Sequence, residues 1–196
     1  ASERPPHLTA IAPWEGWTDL YRPMMKPGGI PEIGFRSGSI RNWCGGDGVE
    51  DVITMLHKYP LMNEYWETKR IPVEKINVPA YITANFKHFH AVGSLGAFRQ
   101  IASRDKWLRI VNTYEWPDYY AIPQTEDLRR FFDYYLKDVK NDWELTPRVR
   151  LSVLDPGGLD QLIRPEKEWP LARTQYEKLY LDASAGALSS QPVQSE

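Results

Sequence analysis

Four histidines occur in the chain, His7, His57, His88 and His90, and two of them are close enough to act together. His88-Phe89-His90 puts two imidazoles at i and i+2, on one face of an extended segment. Such a pair can ligate a metal, but zinc takes three or four ligands and no third stands nearby. No metal or other cofactor is therefore expected. The segment follows a strand candidate, and open α/β sheets place ligand-binding groups beyond the carboxyl ends of their strands. The alternative is a pair of solvent-facing or hydrogen-bonded loop histidines. Glu115-Trp116-Pro117-Asp118-Tyr119-Tyr120 follows the next strand candidate. Two carboxylates among three aromatics suit a pocket wall, and equally a turn begun by Pro117 and capped by Asp118. These motifs give His88, His90 and Asp118 as candidate catalytic groups. Candidate pocket residues are Trp14, Trp17, Trp43, Phe86, Glu115, Trp116 and Tyr119.

Nucleophiles are harder to find. A serine hydrolase on an α/β sheet carries its serine on a Gly-x-Ser-x-Gly turn between strand and helix. The nearest approach is Val92-Gly93-Ser94-Leu95-Gly96, with valine in the first glycine's place. It reads better as a helix start capped by Ser94. Phe35-Arg36-Ser37-Gly38-Ser39 has no strand before it and reads as a loop. Cys44, the only cysteine, lacks a local base and excludes both an internal disulfide and a multi-cysteine zinc site.

The elements that would position these groups follow from hydrophobic periodicity. Leu8 to Pro13 is a short apolar run that reads as a buried strand. Residues 14–48 read as irregular, and Asp47 or Asp51 caps a helix running to about His57. Val78 to Phe86 is a strand, a helix follows through Leu95, Phe98 and Ile101, and Lys106 to Val111 is a third strand. The clearest helix has Thr125 as its N-cap with Glu126 and Asp127 in its first turn. Leu128, Phe131, Phe132, Tyr135 and Leu136 form its apolar stripe. Alternating strands and helices at short spacing predict an α/β fold with parallel crossovers. Arg148 to Val153 alternates at period two and ends at Asp155-Pro156-Gly157-Gly158, and Lys178 to Leu181 repeats the pattern. That tail reads as the opening of an all-β region with exposed edges.

With 196 residues the chain makes one domain, or one and a fraction. A hydrophobic content of 42% and a charged content of 26% exclude a disordered chain. A net charge of −2 without a basic run excludes nucleic acid as the expected partner. No run approaches the roughly 18 apolar residues of a membrane span, so no membrane partner is expected and a cytoplasmic compartment is the default. The chain begins Ala-Ser-Glu-Arg, without a secretory signal or initiator Met. The expectation is a chain processed or excised from something longer.

Taken in order, these motifs resemble the cocaine esterase and X-Pro dipeptidyl-peptidase family of α/β hydrolases. Leu8 to Pro13, then Asp19-Leu20-Tyr21-Arg22 and Gly28-Gly29, resemble the segment just after that family's nucleophile. Val78 to Phe86 resembles the strand leading to its catalytic aspartate. Arg129-Arg130-Phe131-Phe132-Asp133-Tyr134-Tyr135-Leu136-Lys137 resembles its arginine-rich helix. Thr146 to Leu151 and Trp169 to Leu181 resemble the entry to its jelly-roll domain. The resemblance implies a partial α/β-hydrolase core at 1–19 and 78–145, an inserted cap at 20–77, and the first strands of a jelly-roll-like β domain at 146–196. It puts the family's aspartate near His88 and its histidine near Trp116. Neither residue can take the missing role, since indole has no titratable base and imidazole is no carboxylate.

Two functions follow as expectations. One is part of a serine-hydrolase-like protein acting on acyl esters or amides, with the nucleophile outside this sequence. The other is a triad-deficient pocket protein that binds, isomerises or cyclises a hydrophobic small molecule. A third possibility is an interaction module whose sheet edges pair with another chain. The expected partners are an acyl substrate or hydrophobic ligand, and a second copy or companion chain over the sheet edges.

Overall fold

A computed structural model describes residues 1–35, 38, 50–157 and 160–193, with the side chains of Glu115, Asp160 and Gln161 also left aside. Asp47, Ser37, Cys44 and the pocket candidate Trp43 lie outside the described residues. The elements are α1 (Val52–Lys58), α2 (Glu64–Glu67), β1 (Ala80–Asn85), α3 (Ala91–Gln100), β2 (Lys106–Val111), α4 (Glu115–Tyr120), α5 (Ile122–Lys137), β3 (Val149–Leu154), β4 (Asp160–Glu166), β5 (Tyr180–Asp182) and β6 (Ala187–Ser189).

The main sheet has the order β1-β2-β3-β4, with β1, β2 and β3 parallel and β4 antiparallel to β3. This is a partial α/β-hydrolase sheet. β3 lies beside β2, so the sheet runs on past residue 146. β5 and β6 form a separate two-stranded hairpin. Leu8 to Pro13 does not become a full strand. Ile11 alone makes a parallel bridge to Ala80, though its amide and carbonyl, with the Pro13 carbonyl, bond along β1.

Every residue of β1 is buried, as expected for a parallel strand covered on both faces. The period of two sorts its side chains. Ala80, Ile82 and Ala84 meet Leu108, Ile110, Val149, Phe98 of α3 and Ile101 just after it on one face. On the other, Tyr81 and Trp107 meet Phe131 of α5 and Trp143. A second apolar cluster holds Tyr21, Met24, Met25, Val52, Leu56 and Trp66, and Phe89 from the loop after β1 packs against it.

Two helix starts differ from expectation. α5 begins at Ile122 rather than after Thr125, because Pro123 in the first turn presets the backbone. The Thr125 hydroxyl instead donates back to the Ala121 and Ile122 carbonyls, and the first turn carries no acidic residue. α3 begins at Ala91, so Ser94 is a buried interior residue and not its cap. Asp51 does cap α1, its carboxylate accepting from the Ile53 and Thr54 amides.

The glycines around Ser94 therefore need a packing reason. A Cβ on Gly93 would overlap the Gly16 carbonyl oxygen and Trp17 Cα, whereas one on Gly96 meets only ordinary contacts, at 3.6 Å from Gln100 Nε2 and 3.7 Å from Thr18 Oγ1. Gly93 lets α3 close on the 16–17 backbone. Gly93→Ala should lower the unfolding free energy by about 1–3 kcal/mol through overpacking. Gly96→Ala should be neutral or add up to about 1 kcal/mol of helix propensity. Urea unfolding of the two variants checks the contrast.

Candidate functional site

The carboxyl ends of β1 and β2 are pinned together. The Asn85 side-chain amide donates to the Thr113 carbonyl, its oxygen accepts from Lys87 N at 2.8 Å, and Phe86 N donates to the Val111 carbonyl at 2.9 Å. From β1 the chain turns through His88 and Phe89 into His90, which precedes α3. From β2 it turns into α4.

His88 and His90 sit with ring centroids 4.5 Å apart, and the Trp17 ring packs 5.1 Å from His90. His90 is buried, and its Nδ1 lies 4.0 Å from Glu15 Oε2. The other oxygen of Glu15 accepts from Trp116 Nε1 at 3.2 Å. Glu15 thus joins the segment after β1 to the helix after β2. It does so from a left-handed backbone conformation, φ 54°, that costs a non-glycine residue free energy and recurs at functional sites. Glu15 was not among the sequence candidates, since a single glutamate in an irregular stretch has no periodicity or partner spacing to mark it.

Asp118 lies beneath this layer. Arg109 Nη1 and Nη2 donate to Asp118 Oδ1 and Oδ2 at 2.9 and 2.6 Å, with both side chains buried. The Arg109 guanidinium also lies 5.3 Å from the Trp14 ring centroid and donates from Nε to the Tyr81 hydroxyl at 3.0 Å. Burial works against the Arg109 charge, but Asp118 and Tyr81 outweigh it and hold its pKa above the ordinary value. Tyr81 in turn accepts from Arg150 Nη2 at 2.7 Å and donates to Asp127, which pairs with Arg150 at 2.7 Å. Burial pushes the Tyr81 phenol up to about 12 against the pull of both arginines.

Above Asp118, Trp14, Glu15, Trp116, Tyr119 and Tyr120, with Ala12, line a cavity of about 420 Å³. Of the pocket candidates, Trp14, Trp116 and Tyr119 line it. Trp17 packs behind it on His90. Phe86 lies elsewhere, on a cavity of about 480 Å³ beside β3 and β4. Tyr120 is a wall that the sequence reading left out. A larger cavity, about 560 Å³, lies along α3, lined by Asp19, Arg22 and Arg99 among others, away from these groups. Among the described residues no group of three or more His, Cys, Asp or Glu is placed to hold a metal, and no helix is long and apolar enough to cross a membrane.

Two crystal structures of a CocE/NonD family hydrolase (SACOL2612) from Staphylococcus aureus match the chain at 35% identity and a TM-score of 0.90. The match covers 99% of this chain. The chain has the fold of the matching part of that CocE/NonD family hydrolase. It spans 36% of the length of each solved chain. No family model matches the sequence, and no curated protein does. On the CocE/NonD-like sheet, the positions that the resemblance assigns to the acidic and basic triad members, near His88 and Trp116, lie in the loop after β1 and on α4 after β2.

The Arg109–Asp118 pair generates two expectations. Asp118→Ala leaves a buried guanidinium uncompensated and should cost about 3–5 kcal/mol. Arg109→Met with Asp118→Leu, which removes both charges, should recover most of that loss in denaturant melts. The raised phenol of Tyr81 sets the alkaline behaviour. The unfolded chain ionises near pH 10 and the folded one only near 12. The phenol's contribution is therefore full below pH 10 and is lost as pH rises to about 12. Tyr81→Phe should flatten the fall of unfolding free energy over that window.

Proposed function

We propose that this CocE/NonD-like segment forms the substrate pocket and cap of a hydrolase of acyl esters or amides, with the attacking serine supplied from outside these 196 residues. One observation carries the reading: the polar groups Glu15, His88 and His90 gather at the carboxyl ends of β1 and β2, beside an aromatic cavity on a hydrolase sheet. The cap is the unit built around Tyr21, Met25, Val52, Leu56 and Trp66. Glu15 and His90 are the acid/base candidates that best fit the geometry, since a carboxylate facing an imidazole can orient it and stabilise its charged form. Asp118 acts as a positioning residue, because both its oxygens are engaged by Arg109. Exposed Leu162, Ile163, Leu181 and Leu188 on β4, β5 and β6 support the expectation that a second copy or companion segment covers that side.

A second reading has its own observation. At the places given to the family's aspartate and histidine stand an imidazole and an indole, and an indole accepts no proton. The pocket of such a protein binds, isomerises or cyclises a hydrophobic small molecule, work that needs orientation and one acid or base.

The test uses the full-length protein that carries this segment. A fluorophosphonate probe should label one serine outside the present sequence, and p-nitrophenyl butyrate should be hydrolysed. His90→Ala should lower kcat by about 10²–10⁴, the usual worth of a positioned acid/base, with KM little changed. Absence of both labelling and hydrolysis overturns the hydrolase reading. Unchanged turnover and ligand binding in His88→Ala, His90→Ala and Asp118→Ala removes the second.

A further inference from the structure

The main sheet has a second edge that the candidate site does not use. β2 and β3 run parallel and β4 antiparallel to them, so the amino ends of β2 and β3 meet the carboxyl end of β4. Lys106 opens β2, Arg148 directly precedes β3 and Lys167 directly follows β4. Val149 pairs with Glu166, and the same register makes Arg148 and Lys167 neighbours across the two strands. Arg99 from the last turn of α3 and Arg104 from the link to β2 join them around a cavity of about 380 Å³.

Five cations thus line one cavity in a chain whose net charge is −2. The only carboxylate among the described lining residues is Glu168, whose Oε1 already accepts from Ala172 N at 2.9 Å. Two of the cations are held in place. Lys106 Nζ donates to the Phe98 and Ile101 carbonyls at 2.8 and 3.3 Å. The Arg148 guanidinium stands 4.2 Å from the Trp107 ring centroid and donates from Nη2 to Asp105 at 3.2 Å. Arg99, Arg104 and Lys167 are exposed, and their side chains make no ion pair or hydrogen bond among the described residues.

A cleft lined by one sign of charge concentrates counter-ions. The sign here excludes a metal ion or an amine. A carboxylate brings one negative charge, whereas a phosphate group brings about −1.5 to −2 at pH 7 with three acceptor oxygens. Arginine forks match its geometry. Trp169 and Pro170 complete the lining and offer apolar surface to whatever carries the phosphate. We propose that this cavity binds a small organic phosphate. Arg99, Arg104 and Lys167 donate to its oxygens, Lys106 and Arg148 stand behind them as fixed charges, and Trp169 meets its apolar body. The site lies at the strand ends opposite to Glu15, His88 and His90, so it does not rest on the hydrolase reading.

Inorganic phosphate and phenylphosphonate, whose carbon–phosphorus bond an ester or amide hydrolase does not cut, are titrated by calorimetry into the full-length protein carrying this segment. Both should bind saturably, phenylphosphonate at least fivefold more tightly. Arg104→Gln and Lys167→Gln, both at exposed positions, should each weaken phenylphosphonate by about five- to tenfold. Lys58→Gln removes the same charge from α1, outside this cavity, and should change the affinity less than twofold. Blocking the serine with a fluorophosphonate should leave binding as it was. Absence of saturable binding overturns the proposal, as do equal affinities for the two ligands, equal losses in Lys58→Gln and Arg104→Gln, or binding abolished by the block. Binding as expected in a protein that the fluorophosphonate does not label keeps this site and removes the hydrolase reading.

Discussion

A guanidinium buried in the middle of a strand has to be answered, and the answer organises this end of the molecule. Arg109 shares its face of β2 with Trp107, which packs under α5, while Leu108 and Ile110 face α3. Uncompensated, such a charge would cost several kcal/mol. Asp118 compensates it only if the chain after β2 turns back at once into α4. That turn holds Trp116, Tyr119 and Tyr120 above the strand ends. The same guanidinium lies against the Trp14 ring and donates to Tyr81, so β1, β2, α4 and the 8–14 segment are tied to one charge. Through Tyr81, Arg150 and Asp127 the network reaches β3 and α5. Buried ion pairs are weak evidence for stability as such; here the pair fixes which way a helix runs.

A second constraint works from the opposite side. Gly93 brings the first turns of α3 against the backbone of Gly16 and Trp17 without a side chain between them. Residue 15 then has little freedom, and its left-handed conformation points its carboxylate to both His90 and Trp116. Val92-Gly93-Ser94-Leu95-Gly96 resembles a nucleophile turn in letters alone. Its first glycine serves a helix approach, and Ser94 is buried within α3. Sequence spacing cannot separate the two uses, because both demand a glycine where backbone comes close.

Periodicity made the regular elements legible. Lys106 to Val111 is a strand over the expected residues, the stripe from Leu128 to Leu136 lies in α5, and Asp51 caps α1. What periodicity does not encode was less legible. Pro123 shifts a helix start that Thr125 suggested, because a fixed φ in the first turn outweighs a side-chain cap that can bond elsewhere. Leu8 to Pro13 is apolar enough for a strand, yet only Ile11 bridges β1. In the candidate site, the place of His88 and His90 after a strand and the ring types of Trp14, Trp116 and Tyr119 were the legible signals, and the fold sets these residues at the same strand ends. Glu15 was missed, and Asp118 gave no sign of its partner. The one available signal was Arg109, a charge within an otherwise apolar strand, which by itself implies a buried counter-charge nearby in space.

The resemblance implies a histidine near Trp116, and a tryptophan at that strand end changes what the neighbouring groups can do. An imidazole there would exchange protons with a nucleophile; the indole of Trp116 can only donate its N–H, and Glu15 takes it. The carboxylate is thereby held at the cavity wall rather than free to approach a hydroxyl. Its second oxygen faces His90, so Glu15 links the segment before Gly16 to the loop after β1. The Trp116 ring also adds apolar, electron-rich surface to the same cavity. At the carboxyl end of β2 an aromatic wall thus stands where the resemblance implies a base, and the indole of that wall is bonded to Glu15.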